Sequence, residues 1–320
     1  MSNEDEDSTE ESVREAIERS QHGAPAAGEV LRDQFETHEV FQRIVAAADE
    51  EATTGTRELF FSSLAAGFAI TITYLLYASL SAATGSEPIV SALLYPLGFV
   101  FIILGGYQLY TENTLPPVVL VLERLMSLPR LLRIWGTVVL GNFVGGGLGA
   151  FVLANTGVFS TETARTAENI ALKGVETPAS DLFFKAVFAG LIVAGVVWLV
   201  YAVTDTLTRL VVVYISFLAV PTADLFHVVV SFTELMYLVF LGRDVLVSGL
   251  FGFVAPVLLG NTVGGVLLVT VVNYFQTTEE RLNSARREGP ERTLAWREWA
   301  LGSFVGRSYV EKRDYYSDLE

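Results

Sequence analysis

The chain contains no cysteine among its 320 residues, so disulfide bonds, thiolate catalysis and cysteine metal sites are excluded. Lysine is almost as scarce, since only three of the 21 basic residues are lysines, and the formal net charge is −15. The sign of this charge disfavours nucleic acid as a partner. The sequence also lacks a Walker loop, a metal-ligand cluster and a nucleophile elbow. We therefore expect neither an enzyme nor a bound cofactor.

Charged side chains are also missing from six long stretches of the chain. These stretches are 59–85, 88–111, 134–161, 186–204, 210–223 and 245–278. Hydrophobic residues make up 51% of the sequence, and the mean hydropathy is +0.45. A helix needs about 20 apolar residues to cross the hydrocarbon core of a bilayer. The pattern predicts an all-α polytopic membrane protein with six transmembrane helices.

Polar residues and helix breakers interrupt the second apolar stretch at Leu104–Pro117, the segment LGGYQLYTENTLPP. From Pro88 to Leu122 the only side chain that carries charge at neutral pH is Glu112. A continuous helix of that length would measure roughly 50 Å, well beyond the hydrocarbon core. Unwound backbone at membrane depth is tolerated where it is buried in protein or lines a wet cavity. We interpret this segment as part of a permeation path.

A second copy of this design follows later in the chain. The motif GNFVGG at Gly141–Gly146 recurs as GNTVGG at Gly260–Gly265. The same offset moves Tyr107–Asn113 onto Phe226–Phe232, which contains His227, the only histidine of the apolar region. Interruptions at corresponding places predict two halves of three spans each. Because three is an odd number, the second half must be inverted, which gives a 3+3 inverted repeat with helices 2 and 5 broken.

The positions of the spans and of the charged loops predict the topology and the domain organisation. They are expected at 59–82, 89–122, 134–155, 182–203, 210–241 and 246–275. Three arginines in the loop 123–133 place that loop and both termini in the cytoplasm by the positive-inside rule. The arginine cluster of residues 281–287 agrees with this orientation. We expect a channel domain over 58–276, a cytoplasmic tail over 277–320 with an amphipathic helix near 294–305, and insertion in the plasma membrane as a multi-pass protein.

The N-terminal region 1–57 holds most of the excess negative charge, with 15 acidic and five basic residues. An acidic, lysine-poor surface suits the cytoplasm of a halophile, but a solvated acidic tail in an ordinary cell explains the same composition. Apolar residues recur at helical spacing over 29–51, which predicts an amphipathic helix. That helix lies either on the membrane surface or on the protein's own loops.

His227 and Thr111 are the main candidates for pore chemistry. A lone buried histidine is usually a structural residue that hydrogen-bonds between helices. The position of His227 in the second break favours a role in the pore instead. Thr111 lies in the first break, and the pseudo-symmetry of the repeat brings its hydroxyl towards the imidazole.

Four further polar residues have two interpretations each. Asn142 and Asn261, in the glycine motifs, either line the path or bond exposed backbone. Glu112 either bonds local backbone N–H groups or faces an aqueous vestibule. Lys185, at the start of the fourth span, either attracts anions at the outer mouth or extends its charged end to the membrane surface. The glycines of the two motifs are better explained as packing residues than as ligand contacts.

The segment LYTENTL in the first break, His227 in the second and PVLLGNTVGG in the sixth span together resemble the formate/nitrite transporter family. The resemblance covers about 59–276, and the long tails are similar to its longer, less characterised branch. It implies an aquaporin-like fold, a homopentamer with one pore in each protomer, and small monovalent anions or their conjugate acids as substrates.

The resemblance also implies roles for individual residues. Thr111 and His227 would form a central polar pair. Constrictions would be formed by Leu109, Tyr110, Tyr95 and Phe99, and by Val220. The sequence departs from the family pattern at Tyr110, where phenylalanine is more usual, at Phe226, where an acid commonly precedes the histidine, and in the fourth span, which lacks a frequent asparagine.

The leading functional prediction is a channel or transporter in the bilayer for formate- or nitrite-like anions, linked to protons through the central histidine. One alternative is an aquaporin-like pore for neutral small solutes. Another is a membrane scaffold or sensor that binds a partner through its acidic N-terminal region. Transport of formate, nitrite, acetate and glycerol separates the three.

Overall fold

The computed structural model describes residue 35, residues 37–276 and residues 293–310. Within these residues the regular structure is helical, apart from an isolated β-bridge between Met126 and Tyr309. The helices are α1 Thr37–Thr53, α2 Thr56–Ala83, α3 Pro88–Ala92, α4 Leu97–Gly105, α5 Pro116–Leu122, α6 Leu128–Asn155, α7 Thr161–Glu176, α8 Ala179–Ala202, α9 Thr206–Thr222, α10 Val228–Phe240, α11 Leu246–Gln276 and α12 Trp296–Leu301. Short 3₁₀ turns occupy Glu112–Thr114 and Gly302–Phe304, and α11 includes π-helical stretches. The arginines predicted at 281–287 lie outside the described residues.

Five helical segments are long and apolar enough to cross a membrane, namely α2, α3 with α4, α6, α8 and α11. The predicted fifth span is formed by two shorter apolar helices, α9 and α10. The structure differs from the prediction at one boundary and in one loop. Helix α6 begins at Leu128 and includes two of the loop arginines, because Pro129 suits the first turn of a helix. The predicted loop after the third span contains α7, whose N-cap Ser160 accepts a hydrogen bond from the Thr163 N–H.

The first predicted break agrees with the structure, whereas the second is displaced. Helix α4 ends at Gly105, Gly106 has a φ of 68°, and α5 begins at Pro116. The second break spans 223–227, so the last five residues of the predicted Phe226–Phe232 are helical. The first break (106–115) is longer than the second, and a constant sequence offset cannot align breaks of unequal length.

Close helix contacts through glycine repeat in the two halves. Helix α2 packs on α6, and α8 packs on α11. A Cβ at Gly145 would fall against the backbone of Leu64, and a Cβ at Gly264 would fall against the backbone of Val187. These glycines are packing residues, as the sequence indicated, since small residues let membrane helices approach closely.

The bundle has two faces, which we name by the helix that covers each. Helix α1 covers the α1 face, where the Arg130 guanidinium donates a hydrogen bond of 2.5 Å to the Ala52 carbonyl. Helix α7 covers the α7 face, where the Tyr74 hydroxyl of α2 donates to the Ala167 carbonyl at 2.7 Å. Gln108 of the first break contacts Glu51 of α1, and Asp224 of the second break contacts Lys173 of α7, so each break lies near one of these helices.

The C-terminal segment 293–310 is attached to the α1 face. The Trp299 indole donates to the Val121 carbonyl at 2.8 Å, and the Val310 N–H donates to the Leu125 carbonyl at 2.9 Å. The Tyr309 hydroxyl also contacts the Asp49 carboxylate of α1. The predicted C-terminal helix is shorter than expected and docks on the protein through Trp299, whereas Trp296 is exposed.

Candidate functional site

The centre of the bundle holds a hydrogen-bonded pair of buried polar side chains. The Oγ1 atom of Thr111 lies 2.8 Å from Nε2 of His227. Both side chains are about 1% exposed. Thr111 is the N-cap residue of the 3₁₀ turn Glu112–Thr114 in the first break, and His227 is the N-cap residue of α10. The two breaks therefore meet at this pair.

Asn142 fixes the position of the first break. Its Oδ1 accepts from the Tyr110 N–H at 2.9 Å, and its Nδ2 donates to the carbonyls of Ser63 and Gln108 at 2.8 and 2.9 Å. A carboxamide has two donor hydrogens and one acceptor oxygen, so these bonds use all three functions. Tyr110 immediately precedes Thr111, so the clamp sets where the threonine hydroxyl lies.

Asn261 does the same for the second break. Its Oδ1 accepts from the Val228 N–H at 2.9 Å, and its Nδ2 donates to the carbonyls of Ala186 and Phe226 at 2.8 and 3.1 Å. Phe226 and Val228 flank His227 directly. Of the two interpretations of these asparagines, the geometry favours the bonding of exposed backbone.

We expect Asn261→Ala to destabilise the protein, because it leaves buried backbone groups on both sides of His227 unpaired. Each buried group without a partner costs about 1–3 kcal/mol. Thermal unfolding in mild detergent measures the loss. Asn155→Ala is the matched control, since Asn155 makes a comparable bond to the Phe151 carbonyl at an exposed position. Equal unfolding temperatures for the two variants would contradict the clamp.

Aromatic rings cover the polar pair. The Phe99 ring stacks on Phe217 at a centroid distance of 3.8 Å and meets the His227 imidazole edge-on at 5.0 Å. Tyr95 lies beside Phe99 at 5.7 Å, and Val220 is fully buried. Phe217 was not foreseen, since a single phenylalanine in an apolar helix carries no signal in the sequence.

Leu109 and Tyr110 have different environments. Leu109 is fully buried in the core of the bundle. The Tyr110 hydroxyl lies 2.7 Å from Oγ1 of Thr262, and its ring meets Trp135 edge-on at 5.7 Å. Tyr110 is thus bound to α11 and packed on α6, which accounts for a tyrosine at this position.

Carboxylates line a cavity of about 360 Å³ on the α1 face, which we call the carboxylate cavity. Its acidic residues are Glu50, Glu51, Glu58 and Glu112. Among the described residues that line it there is no lysine or arginine. Oε1 of Glu112 and Oε2 of Glu51 are buried and have no hydrogen-bond partner among the described residues. Glu112 thus faces a vestibule, the second of its two interpretations.

Burial in this cavity raises the pKa of Glu51 from 4.5 to about 7, and the negative charge of Glu50 adds to the effect. The hydrogen bond from the Gln108 side chain, at 3.4 Å, opposes it. In the folded protein Glu51 therefore keeps its proton at pH values where the unfolded chain has lost it.

We expect the stability of the protein to fall as pH rises from about 4.5 to about 7, by up to about 3 kcal/mol from Glu51 alone. Below this range the carboxyl group is neutral in both states, and above it the carboxylate is charged in both. Glu51→Gln should flatten the dependence of the unfolding temperature between pH 5 and pH 8. An unchanged slope in the variant would show that Glu51 titrates normally.

A cluster of charged side chains lies near the second break on the α7 face. The Asp224 carboxylate pairs with Lys173 at 2.5 Å and with Lys185 at 2.6 Å. Asp224 has a φ of 54°, the left-handed conformation that turns the chain back towards His227. Lys185 was predicted to attract anions or to extend to the membrane surface, and the structure adds an ion pair that neither interpretation included. This cluster holds two lysines and one aspartate, while Glu162, Glu168 and Glu176 also lie on α7.

The comparisons with known proteins agree with this architecture. A sequence profile described as formate/nitrite transporter matches residues 38–275. The chain belongs to the formate/nitrite transporter family. Among curated relatives, the inner membrane protein YfdC of Escherichia coli strain K12 is 27% identical over 259 residues, which cover 79% of this chain and 83% of YfdC.

Solved structures support the same fold. One, described as an FNT family ion channel, has a TM-score of 0.68 and 21% identity, and the match covers 76% of this chain and all of that one. Another, described as a pentameric formate channel with formate bound, has a TM-score of 0.59 and 17% identity. This match covers 69% of this chain and 97% of that one. The predicted family and all-α fold are confirmed, and the chain is a multi-pass membrane transport protein rather than an enzyme.

Proposed function

We propose that this member of the family conducts small monovalent anions such as formate or nitrite, or their conjugate acids, and that transport is linked to protons through His227. The observation that carries the proposal is the buried bond of 2.8 Å between Thr111 and His227, where the two breaks meet. A hydroxyl and an imidazole can bind a small carboxylate and move a proton to it.

Crossing as the neutral acid is energetically cheaper than crossing as the anion. An unpaired charge at the centre of a bilayer costs several kcal/mol or more, and the neutral acid costs far less. When an anion enters the site, burial raises the pKa of its conjugate acid, because the loss of water disfavours the charged form. Protonation beside His227 therefore becomes favourable during passage.

The charges at the two faces support the same route. The ammonium groups of Lys173 and Lys185 lie near the second break on the α7 face, where they can attract an anion locally. The described lining of the carboxylate cavity on the α1 face offers no lysine or arginine to bind an anion, and it does not hinder a neutral acid. An anion that enters the pore at the α7 face can therefore leave it at the α1 face most easily as its neutral conjugate acid.

We assign the constrictions on the two sides of the polar pair to the residues that the family resemblance implied. These are Tyr95, Phe99 and Val220, with Leu109 and Tyr110. Their burial around the Thr111–His227 pair supports this assignment, because a dry, narrow site favours the neutral form. We add Phe217, which stacks on Phe99.

We further propose a homopentamer with both termini in the cytoplasm, so that the α1 face and the tails 1–57 and 277–320 are cytoplasmic. The solved pentameric formate channel supports the assembly, and loop arginines support the orientation. A stable monomer by mass measurement in mild detergent would contradict the assembly.

Cysteine labelling tests the orientation, because the chain has no cysteine of its own. Ala46 on α1 and Glu162 on α7 are exposed, whereas Ser127 in the arginine loop is buried and unsuitable. We expect a membrane-impermeant maleimide to label Glu162→Cys in intact cells and Ala46→Cys only after lysis. The reverse pattern would place the termini outside.

Uptake by proteoliposomes tests the substrate class. We expect uptake of formate or nitrite that rises as the external pH falls, with little uptake of glycerol. Glycerol uptake without formate uptake would favour the neutral-solute pore. No uptake of formate, nitrite, acetate or glycerol would favour a scaffold or sensor.

A further inference from the structure

One side of α10 carries a row of polar residues that begins at His227 and extends beyond its bond with Thr111. His227, Ser231 and Glu234 are separated by four and then three residues, so they share one face of the helix. All three are buried, with exposed fractions of 1%, 1% and 6%. We call these three residues the polar stripe.

Other residues of α10, outside the stripe, make its contacts with α6 and α11. Phe232 stacks on Phe143 of α6 at 3.9 Å, and Leu235 lies against Gly249 of α11. His227 meets Phe99 of α4, so the stripe faces the same side as the proposed pore.

Several polar atoms along this side have no partner. His227 Nδ1, Ser231 Oγ and Thr73 Oγ1 are buried and lack a hydrogen bond among the described residues. Buried polar atoms are nearly always bonded to protein, water or ligand, so three in one region point to a space that holds a polar guest. The stripe runs from this region towards the α7 face, because Tyr237, three residues after Glu234, donates a hydrogen bond to the Ala164 carbonyl of α7.

Glu234 is the charged end of the stripe. The positive charge of Lys173 on α7 interacts with it electrostatically. The residues with which Glu234 interacts electrostatically are Tyr74 and Tyr77 of α2, Tyr95 before α4, and Lys173. Two more carboxylates interact electrostatically with these tyrosines, Glu168 with Tyr74 and Asp224 with Tyr77. A carboxyl group in this setting can hold a proton and exchange it with water of the α7 face.

We propose that Glu234 is the proton-loading group of the pore, which takes a proton from the α7 face and passes it along Ser231 to an anion held beside His227. This inference rests on the proposed function. Successive groups of the stripe are about 6 Å and about 4.5 Å apart along the helix axis, gaps that one water molecule can bridge.

The transfer involves no oxidation or reduction. The O–H bond of the Glu234 carboxyl group breaks, and an O–H bond forms on the transported anion, with water and the Ser231 hydroxyl exchanging protons between them. The Glu234 carboxylate then takes a new proton from water on the α7 face. One proton therefore enters with each anion.

The test measures formate uptake and internal acidification by proteoliposomes between pH 5 and pH 8 for Glu234→Gln, which keeps the shape of the side chain and cannot carry a proton. We expect proton-linked uptake to fall by about 100-fold or more and its pH profile to flatten, because a positioned proton-transfer group contributes on that scale. Glu234→Asp should restore most of the profile. Glu162→Gln, on the exposed surface of α7, is the control. Ser231→Ala should flatten the pH profile in the same way but to a smaller extent. If Glu234→Gln does not fold, an unchanged pH profile in Ser231→Ala would overturn the proposal.

The outcomes separate this inference from the proposed function. If wild-type protein shows no pH-dependent formate uptake, the proposed function fails. If the wild type and His227→Asn differ as expected but Glu234→Gln keeps the wild-type pH profile, only the role of Glu234 fails. A uniform loss of rate at every pH, with an unchanged profile, would show that Glu234 merely supports the packing of the tyrosines and would overturn the proposal.

Discussion

His227→Ala is expected to abolish pH-dependent formate uptake, with a loss of about 100-fold or more, because a positioned proton-transfer group contributes on that scale. The substitution removes the imidazole that lies 2.8 Å from the Thr111 hydroxyl. Uptake of labelled formate by proteoliposomes at several external pH values measures the effect. Thr111→Val should weaken uptake less, since it removes only the partner hydroxyl.

His227→Asn separates proton transfer from structure. Asparagine can hydrogen-bond to Thr111 but does not titrate near neutral pH, so we expect a pore with an altered pH dependence. If this variant transports formate at the wild-type rate with an unchanged pH profile, His227 is a structural residue and the proton-linked role is wrong.

Gly145→Ala is expected to prevent folding or to lower stability by about 3 kcal/mol, the upper end of the cost of overpacking. The added methyl group would fall against the Leu64 backbone, and backbone in a packed helix cannot rotate away as a side chain can. Size-exclusion profiles and unfolding temperatures in detergent measure the loss.

Gly136→Ala on the same helix is the matched control. A Cβ at Gly136 would meet nothing within 4 Å, and alanine favours a helix over glycine. This variant should be as stable as the wild type or slightly more stable. Equal losses at Gly136 and Gly145 would show that glycine at these positions serves helix flexibility and not close approach.

Much of the fold could be read from the sequence, because its strongest signals are local and repeated. The uncharged stretches, the two glycine motifs and the first break at Gly106 and Pro116 all correspond to features of the structure. Helix α7 was missed because it is polar and covers a face instead of spanning the bundle. The second break was misplaced because it is shorter than the first, so one constant offset in sequence cannot align the two breaks.

The candidate site was predicted only in part. The approach of Thr111 to His227 followed from the pseudo-symmetry of the breaks, and their hydrogen bond agrees with it. The ion pairs of Asp224 and the stacking of Phe217 on Phe99 join residues far apart in sequence. Such contacts leave no periodic pattern, so only the folded chain reveals them. The roles of the pore residues stay predictions until transport is measured.

The central claim is that the anion crosses with a proton, and simultaneous measurement of formate uptake, internal pH and electrical current in proteoliposomes tests it most directly. With a formate gradient and equal pH on both sides, we expect the interior to acidify in step with formate entry, with about one proton per formate and no net current. Formate entry that generates a current and leaves the internal pH unchanged would show that the bare anion crosses, and would contradict proton-linked transport through His227.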